Sequence, residues 1–173
     1  MKTKKLVTLF ITMLSAAIFF TACSKDTNNP VTPDPTNSGA SIKINGGGFV
    51  NKQVNLSSGI CAYVVNDNAT YVQFIGTADS DSLYLVFIFE GKQTGTFSWN
   101  SNSTETYVLH MSQTGGTIYA NSAEGSTTVN SYGDVGGKIE GKAAGKLADM
   151  NTQQIEMTID GTFSVVRGPD DTE

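Results

Sequence analysis

Few side chains in this 173-residue chain can do acid–base, nucleophilic or metal chemistry, and their number and spacing narrow the options. His110 is the only histidine, which excludes sites built from several imidazoles. It falls on the outward side of residues 106–111 (TYVLHM), whose alternation puts Tyr107, Leu109 and Met111 inward. Cys61 lies in the apolar run ICAYVV, the setting of a buried structural thiol. No cationic neighbour in the sequence would activate it. G-x-S-x-G and H-E-x-x-H are both absent. Carboxylates are plentiful, so a glycosidase-type pair stays open, because its spacing exists only in three dimensions. Glu140, Glu156 and Asp160 fall on the wet side of strand patterns and read as solvating charges. Asp67, flanked by Asn66 and Asn68, and the triplet Asp79-Ser80-Asp81 follow no calcium-loop spacing and read as turn chemistry. Neither a metal nor a cofactor is expected.

Two aromatic positions could carry binding instead of catalysis. Trp99, the only tryptophan, shares a strand face with Phe97 in TFSWN (96–100). It is either core or an exposed platform on which a sugar stacks. Tyr84 belongs to SLYLVFIFE (82–90), where Leu83, Leu85, Phe87 and Phe89 face one way and Tyr84, Val86 and Ile88 the other. Both faces are apolar. The segment is either a central strand covered on both sides, or its second face opens on an apolar cavity or a partner surface.

The elements that must position these residues are strands throughout. Residues 155–167 (IEMTIDGTFSVVR) alternate over their full length: Ile155, Met157, Ile159, Gly161, Phe163 and Val165 oppose Glu156, Thr158, Asp160, Thr162 and Ser164. Residues 138–147 repeat the pattern, with Ile139, Gly141, Ala143 and Leu147 on the apolar side. Further strands are expected at 41–45, 49–56, 60–66, 70–77, 82–90, 96–100, 117–121 and 127–132. Gly-, Asn- and Asp-rich turns separate them. Such short links join antiparallel neighbours. No segment has a helical period. About ten short antiparallel strands in one domain imply a β-sandwich, with a calycin-like β-barrel as the alternative. Gly-Thr-Phe-Ser recurs at 95–98 and 161–164, and Ile139-Glu140-Gly141 parallels Ile159-Asp160-Gly161. Glycines inside such strands mark bends around a core or close approach to a ligand.

The first residues are an address. Lys2, Lys4 and Lys5 precede an apolar run, residues 6–20, of about fifteen residues, the length of a signal peptide and short of a spanning helix. Phe20-Thr21-Ala22-Cys23 closes it and resembles a bacterial lipoprotein processing site. That resemblance implies a signal peptide over 1–22 and two or three acyl chains on Cys23, enough for stable anchoring. Residues 24–39 (SKDTNNPVTPDPTNSG) are polar and rich in Pro, Asn and Thr, and would form a flexible tether. One all-β domain over 40–167 and an acidic C-terminal tail over 168–173 complete the expected organisation. With Cys23 acylated, Cys61 is the only thiol left. All sixteen acidic residues but only eight of the eleven basic ones follow Cys23, a net charge of −8. That excludes the basic surface nucleic acid requires, and with it electrostatic docking on anionic lipid.

Three further resemblances refine this picture. Ser24-Lys25-Asp26 resembles the surface-export signals of Bacteroidota lipoproteins, which usually carry a second acidic residue where Thr27 stands here. It implies an outer-membrane protein facing outward. Residues 129–147 followed by 155–167, with their G-G-x-I-x-G and I-x-G-T-F-S-V-x-R patterns, are similar to the C-terminal half of small β-rich Bacteroidota lipoproteins that carry domains of unknown function. That similarity covers about a third of the chain and brings no catalytic residue with it. Asp81-Ser82-Leu83 resembles the O-glycosylation sequon of the same bacteria, which would place a glycan on Ser82. The expected function is a non-enzymatic binding or accessory module for a glycan, a peptide or an envelope partner. A structural surface protein without a small ligand is second, and a hydrolase with a carboxylate pair third.

Overall fold

A computed structural model describes residues 38–78, 81–99, 105–111 and 117–172; Cys23, the expected signal peptide and the expected tether up to residue 37 lie outside them, while Ser38 and Gly39, also assigned to that tether, are described, with Gly39 opening the first strand. The described chain forms ten strands: β1 Gly39–Gly46, β2 Phe49–Leu56, β3 Ser58–Val64, β4 Ala69–Ala78, β5 Asp81–Glu90, β6 Gly95–Ser98, β7 Glu105–Met111, β8 Thr117–Tyr132, β9 Lys138–Asp149 and β10 Ile155–Val166. The expected all-β class holds. Every ladder between strands is antiparallel, as the short links require.

The fold is an antiparallel β-sandwich whose halves share one hydrogen-bonded path, β2-β1-β10-β9-β8-β7-β5-β4-β3, with β6 on β8. The path is a meander that doubles back on itself. Phe163 of β10 meets Phe87 of β5 at 4.9 Å and Phe74 of β4 at 6.3 Å between ring centroids, so rings from opposite halves interdigitate. Ile42, Ile44, Leu56, Val72, Leu83, Leu85, Ile139, Leu147, Ile159 and Val165 surround them in one buried cluster. These are the apolar positions of the alternating patterns, which is why β9 and β10 bury one side and wet the other. Their wet side is charged: Lys43 pairs with Asp160, Thr162 with Lys142 and Ser164 with Glu140.

β6 and β7 form one interrupted line along β8, opposite Ser126–Val129 and Thr117–Asn121 respectively. At the end of β6 the chain turns inward and buries Trp99, whose indole lies over the paired glycines Gly125 and Gly145. A Cβ on Gly145 would stand 2.4 Å from indole Cζ3 and one on Gly125 2.8 Å from Cε3. Gly125 also holds a φ of +144°, a conformation that favours glycine. These glycines make room for a ring of the protein itself. Gly141 does the same for Phe163, 2.6 Å from the Cβ it lacks.

Two expectations are corrected. Residues 117–132 are one strand of sixteen residues, not two. Gly125, which falls between the two expected strands, sits within the ladder between bulges at Ser122/Glu124 and Val129/Ser131, and the bulges bend the strand there. In β7 the register with β5 places Thr106, and not Tyr107, opposite a core position of β5. Thr106 is fully buried opposite Phe87, and His110 pairs with the buried Leu83. Tyr107, Leu109 and Met111 share the register of Val86, Tyr84 and Ser82. A one-residue offset exchanges the faces of a whole strand. The acidic segment after β10 is held against the sheet. Gly168 N–H donates to Cys61 O (2.7 Å), Asp171 N–H to Tyr63 O (2.8 Å) and Val65 N–H to Asp171 O (2.9 Å), so residues 168–171 lie along the outer edge of β3. Val64 and Asp171 form a parallel bridge there.

Candidate functional site

The densest polar arrangement stands at the end of the sandwich where β10 leaves the sheet. Arg167 is 5 % exposed. Its N–H donates to Gly137 O and its O accepts from Gly136 N–H, which ties it to the β8–β9 turn. Its guanidinium lies 5.6 Å from the Tyr132 ring centroid, and Nη2 pairs with Asp170. Asp170 also pairs with Lys92 at 2.5 Å, and Lys92 Nζ stands 4.3 Å from the Tyr63 ring centroid. Tyr132 and Thr70 share a hydroxyl hydrogen bond of 2.8 Å, and Thr70 Oγ1 donates to Gly91 O at 2.7 Å. Partial burial raises the Tyr132 pKa above its ordinary value, against the Thr70 hydrogen bond, which lowers it. Burial pushes the Cys61 thiol up to about 12, with Arg167 pulling weakly the other way. Such a thiol stays protonated and inert, as its apolar sequence neighbours implied.

The aromatic candidates separate. Trp99 is 4 % exposed, and its Nε1 donates to Thr127 Oγ1 at 2.9 Å. A ring packed on two glycines with its one polar atom satisfied has no face for a sugar, so the stacking-platform reading is corrected to core. Tyr84 is half-buried on the outward face of β5, between Ile75 of β4 and Leu109 of β7. That face is not uniform. Toward one end Val86 and Ile88 are 6 % and 5 % exposed although they stand outside the main core cluster. Toward the other, Ile75 and Tyr84 are half-buried and Ile60, opposite Gln73, is 51 % exposed. The outward positions of β3, β4 and β5 from Ser58 to Ile88 carry no charge, in contrast to the charged wet side of β9 and β10.

Ser82 is exposed at the start of β5, accessible to modification. Cys23, Asp79 and Ser80 lie outside the described residues. Glu140, Glu156 and Asp160 are exposed on the outer side of β9 and β10, with Glu140 accepting from Ser164 Oγ at 3.3 Å. Asp67 accepts from Tyr71 OH at 2.6 Å. Asp149 Oδ1 accepts from the N–H groups of Asn151 and Thr152, both at 2.8 Å, which closes the β9–β10 turn and lowers its pKa. Among the described residues no three His, Cys, Asp or Glu side chains gather as a metal site would need. Sequence reasoning missed the Arg167 cluster. Its partners come from β3, β4, the turn after β5, β8 and the segment after β10, so no local spacing announces it. The one available signal was that Arg167 is the only arginine in the chain. No family model, curated protein or solved structure matches the chain.

Proposed function

We propose that this chain is a lipid-anchored, non-enzymatic accessory module of the outer membrane, displayed outward, that engages a partner protein through the outward face of β3, β4 and β5. The anchoring rests on Cys23 and the segments around it, and the outward display on Ser24-Lys25-Asp26. The observation that carries the binding mode is the contrast between the two outer faces. One is studded with charge; the other carries carboxylates only toward its Asp67 and Glu90 end and presents the uncharged row Ile60, Ile75 and Tyr84 away from it. The residues after Cys23, with eight basic and sixteen acidic side chains, carry a net charge of −8 and repel most acidic surfaces, so a neutral apolar row is where a flat, uncharged protein surface can approach without stripping water from ions. The interior favours the same reading, because Phe74, Phe87 and Phe163 fill the space between the halves.

The experiment is site-specific photo-cross-linking in cells, with the reactive residue at Tyr84 or, as control, at Lys142 on the charged face. A discrete cross-linked species from Tyr84 alone is the expected result. Equal cross-linking from both positions, or from Lys142 alone, would overturn the assignment of the face.

A further inference from the structure

We propose that the outer edge of β3 is a strand-addition site for an extended acidic segment of a partner protein, and that residues 168–171 occupy this site in cis. The proposal deepens the binding-module reading and rests on it. β3 ends the hydrogen-bonded path, so one row of its backbone groups points away from β4. Gly168 and Asp171 bond to that row at Cys61, Tyr63 and Val65, running parallel to β3. This is the bonding of strand addition, in which the backbone supplies affinity and the side chains supply choice.

The side chain chosen here is a carboxylate. Asp170 is held between Arg167 and Lys92, and Lys92 is itself positioned over Tyr63. The grip is incomplete. Arg167 is 5 % exposed, yet its Nε has no hydrogen-bond partner among the described residues. Only Nη2 reaches Asp170. A guanidinium fork is built to hold two carboxylate oxygens at once. An acidic residue entering from another chain, free of the three-residue link that ties Asp170 to Arg167, can take Nε and Nη2 together. The hold on the segment in cis is polar, with little apolar side-chain burial. Gly168 has no side chain, and Pro169 and Thr172 are exposed. A stretch with so little apolar burial opens locally at low cost.

The test uses the full chain purified in detergent and, as probe, the labelled peptide Gly-Pro-Asp-Asp-Thr-Glu, the sequence of residues 168–173. Asp170→Lys sets a third cation beside Arg167 and Lys92 and should release the segment. The Val65 amide, which donates to Asp171, should then exchange faster, with the β4–β5 ladder unchanged. The peptide should bind the variant saturably and the wild type at least about tenfold more weakly, because the attached segment competes at high effective concentration. Adding Lys92→Glu should weaken peptide binding by about tenfold again. A peptide with lysines in place of its acids should not bind. Unchanged Val65 exchange, or no peptide binding by Asp170→Lys, would overturn the proposal. So would self-association of that variant in place of peptide binding, since the edge would then take a second copy. Cross-linking from Tyr84 is read independently. If it persists while the peptide fails, only the β3-edge site falls; if both fail, the binding-module reading falls with it.

Discussion

The indole of Trp99 rests on the backbone of Gly145, so closely that a single methyl group there would lie 2.4 Å from Cζ3 and 2.2 Å from Glu124 O. The contact joins the inward turn after β6 to β8 and β9, and it decides what Trp99 is for. Gly145→Ala should cost about 1–3 kcal/mol by overpacking a rigid site. Urea unfolding measures it. An unchanged midpoint would mean that both the ring and the facing β8 backbone give way freely.

Burial of Trp99 has an optical consequence. Its fluorescence should be blue-shifted and weakly quenched by iodide in the native protein, and strongly quenched in urea. Thr127→Val removes the acceptor of the indole N–H and should cost about 1–3 kcal/mol, the penalty of an unpaired buried donor. Strong native quenching would return Trp99 to the surface.

Cys61 predicts a pH dependence. In the unfolded chain its thiol titrates at the ordinary 9.0, and in the folded protein at about 12. Its stabilising share is therefore complete below about pH 9 and is lost as pH rises toward 12, because only the unfolded state releases the proton in that window. The melting temperature of the wild type should fall more steeply between pH 9 and pH 11 than that of Cys61→Ala. A native thiol that reacts with a disulfide reagent at pH 8 as fast as in urea would contradict this.

Along β5 the outward face should respond unevenly. Ile88→Ala, at a buried position, should cost about 2–4 kcal/mol. Tyr84→Arg, at a half-buried one, should cost about 1 kcal/mol or less, as surface changes do. Equal losses at both would make the whole face core and remove Ile60, Ile75 and Tyr84 as a docking row.

How much of this was legible follows from how polarised each strand is. β9 and β10 were read nearly to the residue because one side is wet and charged, which fixes the register. β7 was read with its faces exchanged. In that half of the sandwich the outer layer is apolar too, as Val86, Ile88 and Tyr84 show, so alternation no longer says which side is core. The expected strands at 117–121 and 127–132 stop short of Gly125 on both sides, and nothing in its sequence neighbours explains a glycine inside a strand. Its actual reason, the ring of Trp99 pressing on it, lies 26 positions away in the chain. The Arg167 cluster was illegible for the same cause, since five separate segments bring Cys61, Thr70, Lys92, Tyr132 and Asp170 to it.

Anchoring through Cys23 has its own check. Cys23→Ala should move the protein from the membrane fraction or stall its processing, and unchanged fractionation would remove the lipid anchor from the account.

The central claim is that the uncharged face around Tyr84 holds a partner protein. The most direct measurement is the size of the protein gently solubilised from cells, by sedimentation, for the wild type, Tyr84→Arg and Lys142→Glu. The wild type and Lys142→Glu should sediment as a complex larger than one chain, and Tyr84→Arg, with its melting temperature retained, as a single chain. A wild type that sediments alone, or a complex that survives Tyr84→Arg, would contradict it.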